Sequence, residues 1–283
     1  MVAHGGVHHA VQPSAAAGRV TELVVHRRSR SLRPTVGRVS SAVVRRALPL
    51  VAAAVAVVAA PQALTRLPIR RRYLPSLAGI GDPQHVALTF DDGPDPVSTP
   101  PILDELARLG WRATFFMLGS MVERHPDVAA AVADAGHEVA VHGFSHRSHL
   151  VRRRTHLVDD VARATDAVAL ATGEDPRWFR PPYGSLAVGT LSASRRAGLQ
   201  TVLWTAWGRD WRPDATPATV VADIEKGLQP GATVLLHDSD CTSAPGSWRT
   251  TVASLEPLGE LFAARDLTVG PLADHGLREA AIW

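Results

Sequence analysis

From residue 85 onward the chain alternates short apolar runs with longer amphipathic stretches, and this alternation limits the folds open to it more than any other feature. Seven runs read as strands: His85–Phe90, Ala113–Leu118, Glu138–His142, Trp178–Arg180, Thr201–Thr205, Thr233–His237 and Leu267–Val269. Helical stretches fill the gaps, and many close on a glycine, at Gly110, Gly136, Gly173, Gly198 and Gly227, as helix C-termini prefer. Successive βα units build a parallel sheet. About seven such units, with no glycine-rich phosphate loop after the first strand, point to an α/β fold. The expectation is a distorted (β/α) barrel, closed or incomplete, rather than an open doubly wound sheet.

The 283 residues suffice for one large α/β domain plus an extension. Charge divides sharply along them. Residues 1–73 carry 12 Arg against one acid, Glu22, a net +11; with the whole chain at +3, residues 74–283 hold −8. An acidic domain does not suit a phosphate-tracking surface, so nucleic acid is not expected as a partner. Cys241 is the only cysteine, which excludes an intrachain disulfide and any cysteine-based metal cluster.

Residues 1–46 read as a basic leader without a fold, and residues 47–64 as an apolar signal or membrane-anchor segment. Arg45 and Arg46 precede the uncharged run Ala47–Ala60, and small residues close it. These are the parts of a secretory signal; extended to Leu64, the run becomes a marginal membrane anchor. Either way the arginine asymmetry places the remainder of the chain outside the membrane, secreted or anchored. Residues 65–82 then read as a linker, 83–272 as the catalytic domain and 273–283 as a C-terminal tail.

Barrel active sites collect at the C-terminal ends of strands, and here those ends are rich in polar residues suited to catalysis. They carry Asp91-Asp92, His142-Gly143-Phe144-Ser145-His146, Arg180-Pro181-Pro182-Tyr183-Gly184, Trp207-Gly208-Arg209-Asp210-Trp211 and His237-Asp238. Adjacent strand residues point to opposite faces, but where a strand frays both carboxylates of Asp91-Asp92 can reach one cavity. His142 and His146 stand four apart, which puts both imidazoles on one side of a helical turn. Two imidazoles and one carboxylate, with positions left open, make a catalytic rather than a structural metal site. A divalent ion there, zinc in the first place, would polarise a carbonyl and acidify its water. The second carboxylate could take that proton and His237 could protonate the leaving group, which is metal-assisted hydrolysis. His149, three past His146, is a weaker ligand candidate, and Cys241 reads as a bystander near the cleft.

Taken in order, these five segments resemble the polysaccharide deacetylases of carbohydrate esterase family 4, which share the homology domain of nodulation chitooligosaccharide deacetylases. The resemblance covers residues 83–272. It implies a distorted barrel that removes acetyl groups from N-acetylglucosamine-containing polymers, peptidoglycan or chitin-like oligomers, with a glycan polymer as its partner; the sequence does not set the oligomeric state, and a monomer is the expectation. By analogy Asp91 is the base, Asp92, His142 and His146 the metal ligands, and His237 the acid. Arg180 orients Asp91 and keeps it ionised beside Asp92, and Asp210 tunes His237. The Tyr183 amide holds the oxyanion, while Trp211 and Leu235 form the pocket for the acetyl methyl. Two positions depart from the family pattern: Gly143 stands where a Ser or Thr is usual, and Trp207 where an acid is usual. An O-acetyl esterase on xylan or another acetylated glycan would use the same residues. A surface-anchored, non-catalytic glycan-binding module would not need them all, and a two-histidine, one-carboxylate iron oxygenase would not need Asp91 or His237.

Overall fold

The computed structural model describes residues 68–277. The leader and apolar segment lie outside the described residues, as do 65–67 of the linker and 278–283 of the tail. Eight strands form one parallel sheet: β1 His85–Asp91, β2 Thr114–Met117, β3 Glu138–Val141, β4 Trp178–Phe179, β5 Gln200–Thr201, β6 Ala206–Trp207, β7 Thr233–His237 and β8 Thr268–Gly270. Their order is β5-β4-β3-β2-β1-β7-β6, and β8 pairs with the first half of β1, His85–Ala87. The connecting helices are α1 Thr99–Leu109, α2 Pro126–Asp134, α3 Arg154–Thr172, α4 Val188–Arg196, α5 Pro217–Gly227 and α6 Trp248–Ala263. This is the expected distorted, incomplete barrel, opened between β5 and β6.

The opening replaces one predicted strand. The run Thr201–Thr205 is not continuous: Thr201 pairs with Phe179 of β4, and pairing resumes at Ala206, opposite Val234 of β7. Between them the backbone turns to the segment before β1. Leu203 N–H donates to the Leu77 carbonyl (2.9 Å), and Arg70 and Arg71 donate to the Trp204 and Thr205 carbonyls. Residues 68–79, read from sequence as linker, therefore take up backbone groups that a continuous barrel would have satisfied by strand pairing. Beyond β8, His275 is fully buried, its Nδ1 2.8 Å from His85 Nδ1.

Period-two alternation sorts each strand between two environments. Val86, Leu88 and Phe90 of β1, Phe115 and Met117 of β2, and Val139 and Val141 of β3 join the large apolar core with Ile102, Leu106 and Val161 of the helices. Burying each such side chain contributes ~1.5–3 kcal/mol. The alternate residues Ala87, Phe116, Ala140 and Trp178 meet in a second, smaller cluster with Val202 and Leu272. Continuing that second phase two residues at a time leads to Asp91, His142 and Arg180. The same alternation in β7, with Val234 and Leu236 in the large core, sets His237 apart from them. The pleat thus aims four strand-end side chains at one place.

Candidate active site

Asp91 ends β1 opposite Phe116 and His237, and Asp92 follows at φ +86°. That left-handed conformation, costing a non-glycine residue ~1–3 kcal/mol, is what brings two adjacent carboxylates to one cavity. Thr242 Oγ1 donates to Asp92 Oδ2 (2.7 Å). Asp238 Oδ1 accepts the Gly93 N–H (2.9 Å) and its Oδ2 the Thr99 hydroxyl (2.8 Å), which pins the turn behind Asp92.

Arg180 is fully buried, its guanidinium 4.0 Å from the Phe116 ring centroid. Its Nη1 donates to Asp91 Oδ1 (2.7 Å) and Thr89 Oγ1 (2.8 Å), and its Nη2 to the Leu203 carbonyl (3.2 Å). The expectation that Arg180 simply keeps Asp91 ionised needs amending. Burial dominates and pushes the carboxyl up to about 6, with Arg180 and His237 pulling against it. The group is ionised at neutral pH yet more basic than an exposed aspartate.

His142 Nδ1–H donates to the Arg180 carbonyl (2.8 Å), which leaves the Nε2 lone pair facing Asp92 Oδ1 at 3.4 Å. His146 Nε2 lies 3.3 Å from the same oxygen. Burial holds both imidazoles below their ordinary range, most strongly His142, so they are neutral. Asp92 Oδ1 is buried without a hydrogen-bond partner, and one atom from each of the three side chains falls within 4.8 Å of the others. At His142 a lone pair faces a carboxylate oxygen, which is repulsive unless a cation lies between them. The donor set of two neutral imidazoles and one carboxylate fits a divalent metal.

The two histidines do not sit on a helical turn. The chain from 142 to 148 is irregular, and Gly143 adopts φ +91°. Asp160 of α3 braces this loop: its Oδ2 accepts the Phe144 N–H (2.9 Å), its Oδ1 the Ser145 hydroxyl (3.2 Å), and Arg152 Nη1 also donates to Oδ1. A Cβ at position 143 would stand 3.1 Å from Asp160 Oδ2. The missing hydroxyl at Gly143 thus has a replacement, and conformation and space both favour glycine there. Sequence reading passed over Asp160, although it interrupts the buried face of α3 formed by Leu157, Val161, Ala164 and Val168. A lone acid on an apolar helical face was the signal.

On the neighbouring strand β7, His237 is held by Asp210, whose Oδ1 accepts His237 Nδ1–H and whose Oδ2 accepts the His237 backbone N–H, both at 2.8 Å; Thr251 Oγ1 donates to Oδ2 (2.7 Å). Burial alone would lower the His237 pKa, but Asp210 overrides it and lifts the value to about 9. Tyr183 sits at φ +60° in the turn Pro182–Gly184, 63% exposed, with its ring centroid 4.3 Å from that of His146. Leu235 is buried. Trp211, at the edge of the cleft, lies 6.1 Å from Trp207, which in turn lies 5.8 Å from Trp204. Trp207, in place of an acid, therefore extends an aromatic row. His149 is buried against Thr190 and Phe179 and is not part of the three-ligand group. Cys241 has its thiol pushed up to about 11, chiefly by burial, which does not suit a nucleophile.

Residues 78–202 match the family profile described as polysaccharide deacetylase. A chitooligosaccharide deacetylase of Bradyrhizobium sp. is 35% identical over 213 residues, 72% of this chain and 94% of that protein. Peptidoglycan-N-acetylglucosamine deacetylase PgdA of Listeria monocytogenes is 32% identical over 208 residues; the match spans 71% of this chain and 44% of that longer protein. Among solved structures, a family 4 carbohydrate esterase from Streptomyces lividans in complex with acetate superposes with a TM-score of 0.59 at 31% identity, covering 66% of this chain and 92% of that one. With the site geometry and these likenesses in agreement, the chain belongs to the polysaccharide deacetylase family.

Proposed function

We propose that this chain is a metal-dependent hydrolase, acting outside the cytoplasmic membrane, that removes the acetyl group from N-acetylglucosamine residues of peptidoglycan or chitin-like oligomers. The observation that carries the reading is the convergence of His142 and His146 on the buried, unsatisfied Oδ1 of Asp92, with Asp91 and His237 paired in register on the adjacent strands β1 and β7. Asp92, His142 and His146 would hold the ion, zinc by preference. When bound, it supplies Lewis-acid polarisation of the acetyl carbonyl and a more acidic water.

The remaining steps belong to the protein. Asp91 Oδ1 is committed to Arg180, so Oδ2, 3.7 Å from His142 Nε2, is the oxygen left to accept the proton of the attacking water. A carboxylate raised to about 6 is well matched to that task near neutral pH. His237 has Nδ1 fixed by Asp210, which leaves Nε2 to donate a proton to the departing amine. Its value of about 9 keeps it protonated until that step. The Tyr183 N–H takes no part in the two bonds that close its turn, Gly184 to Pro181 and Ser185 to Pro182, and serves the developing oxyanion. Leu235 and Trp211 line the place of the acetyl methyl.

The test is acetate release by the purified chain from chitotetraose, peptidoglycan and acetylated xylan, with and without chelator. Release from the N-acetyl substrates, abolished by chelation and restored by Zn²⁺, is the expected result. Full activity after thorough chelation would overturn the metal role, release from xylan alone would make it an O-acetyl esterase, and glycan binding without release would leave a binding module.

A further inference from the structure

Residues 147–156 contain four arginines and two histidines and no acid, in a domain whose net charge is −8. They are not a remote solvated face. Arg147, Arg152 and Arg153 line an open cavity of about 660 Å³ together with Val151, Tyr183 and the metal-ligand candidate His146. Arg152 is committed to Asp160. Arg147 and Arg153 are exposed, and among the described residues neither has a carboxylate partner. Arg153 and Arg154 also occupy the N-cap and first position of α3, where a cation opposes the helix dipole, so they do not serve the stability of that helix. Beside them Tyr183 and Val151 present large apolar surface, 63% and 86% exposed. Apolar faces suit a sugar ring, and unpaired guanidinium groups suit an anion carried on it.

Resting on the deacetylase reading, we propose that Arg147 and Arg153 form a subsite for an anionic group on the glycan. The favoured substrate is then a carboxylate-bearing amino-sugar polymer, as peptidoglycan is through its peptide carboxylates and the lactyl carboxylates of peptide-free muramyl residues, rather than neutral chitin. The arginines act as a positioning and specificity element beside the metal site, and their attraction weakens with salt.

The experiment titrates the full chain, loaded with Zn²⁺, by calorimetry with a peptidoglycan tetrasaccharide carrying free lactyl carboxylates and with its methyl ester. The expected result is tighter binding of the free acid, a preference that shrinks as salt is added and falls about tenfold in Arg147→Gln/Arg153→Gln. Equal affinity for acid and ester in the unaltered chain would overturn the subsite, as would an undiminished preference in the double variant. Should the double variant fail to fold, the acid–ester comparison on the unaltered chain decides alone. Acetate release from chitotetraose is measured in parallel. Its absence, with the acid still preferred, defeats the deacetylase reading and leaves the anion subsite standing.

Discussion

Replacing Asp160 by alanine removes the single carboxylate that holds the loop between His142 and His146. Three donors lose their acceptor: the Phe144 amide, the Ser145 hydroxyl and the Arg152 guanidinium. The amide is the costly one, because an unsatisfied N–H of this kind costs ~1–3 kcal/mol. Arg152 is 19% exposed and can turn to water, so its loss adds ~1 kcal/mol at most, and the serine hydroxyl can rotate to solvent. The sum is a destabilisation of ~1–4 kcal/mol. The loop it frees carries the candidate ligand His146 at one end, and loosening a group that supports a ligand is expected to lower metal affinity ~10- to 100-fold. Urea unfolding reads the first quantity and zinc calorimetry the second. A variant with unchanged zinc affinity would refute the brace even if it were less stable, because stability alone reports packing.

Gly143→Ser restores the residue usual in the family, yet it is expected to destabilise by ~1–3 kcal/mol, since it forces φ +91° on a serine and sets its Cβ 3.1 Å from Asp160; unfolding curves check this. Asp91→Ala is expected to cost stability as well as activity, ~3–5 kcal/mol by urea unfolding, because it strands the buried Arg180 guanidinium. His237 has a folded pKa raised from 6.5 to about 9, so its protonated form contributes stability below pH 6.5 that is lost as pH rises through about 9. Metal-free protein should therefore lose up to about 3 kcal/mol between about pH 6 and about pH 10, and Asp210→Asn should flatten that slope.

The fold was legible because the strands are apolar runs bounded by turns, and the strand ends because barrel chemistry gathers there. What escaped was non-local. Val202 and Leu203 are as apolar as any strand residue, so nothing in the run Thr201–Thr205 shows that its backbone leaves the sheet to meet Leu77. Four residues of His spacing suggested a helical turn, but the glycine between them takes φ +91° and the pair sits on an irregular loop. That Asp91, His142 and Arg180 lie together was recoverable from pattern, since each continues the phase of Ala87, Ala140 and Trp178. Thr242 and Asp238 had no such signal: they act through the backbone turn and the carboxylate of Asp92 from a loop distant in sequence.

The division of labour between the paired aspartates is the centre of the account, and Asp91→Asn against Asp92→Asn tests it. Asp91→Asn keeps an acceptor for Arg180 and leaves the ligand set intact, so it should bind zinc as the unaltered chain does and release no acetate. Asp92→Asn should lose zinc and acetate release together. An Asp91→Asn protein that releases acetate, or that loses its zinc as Asp92→Asn does, would contradict it.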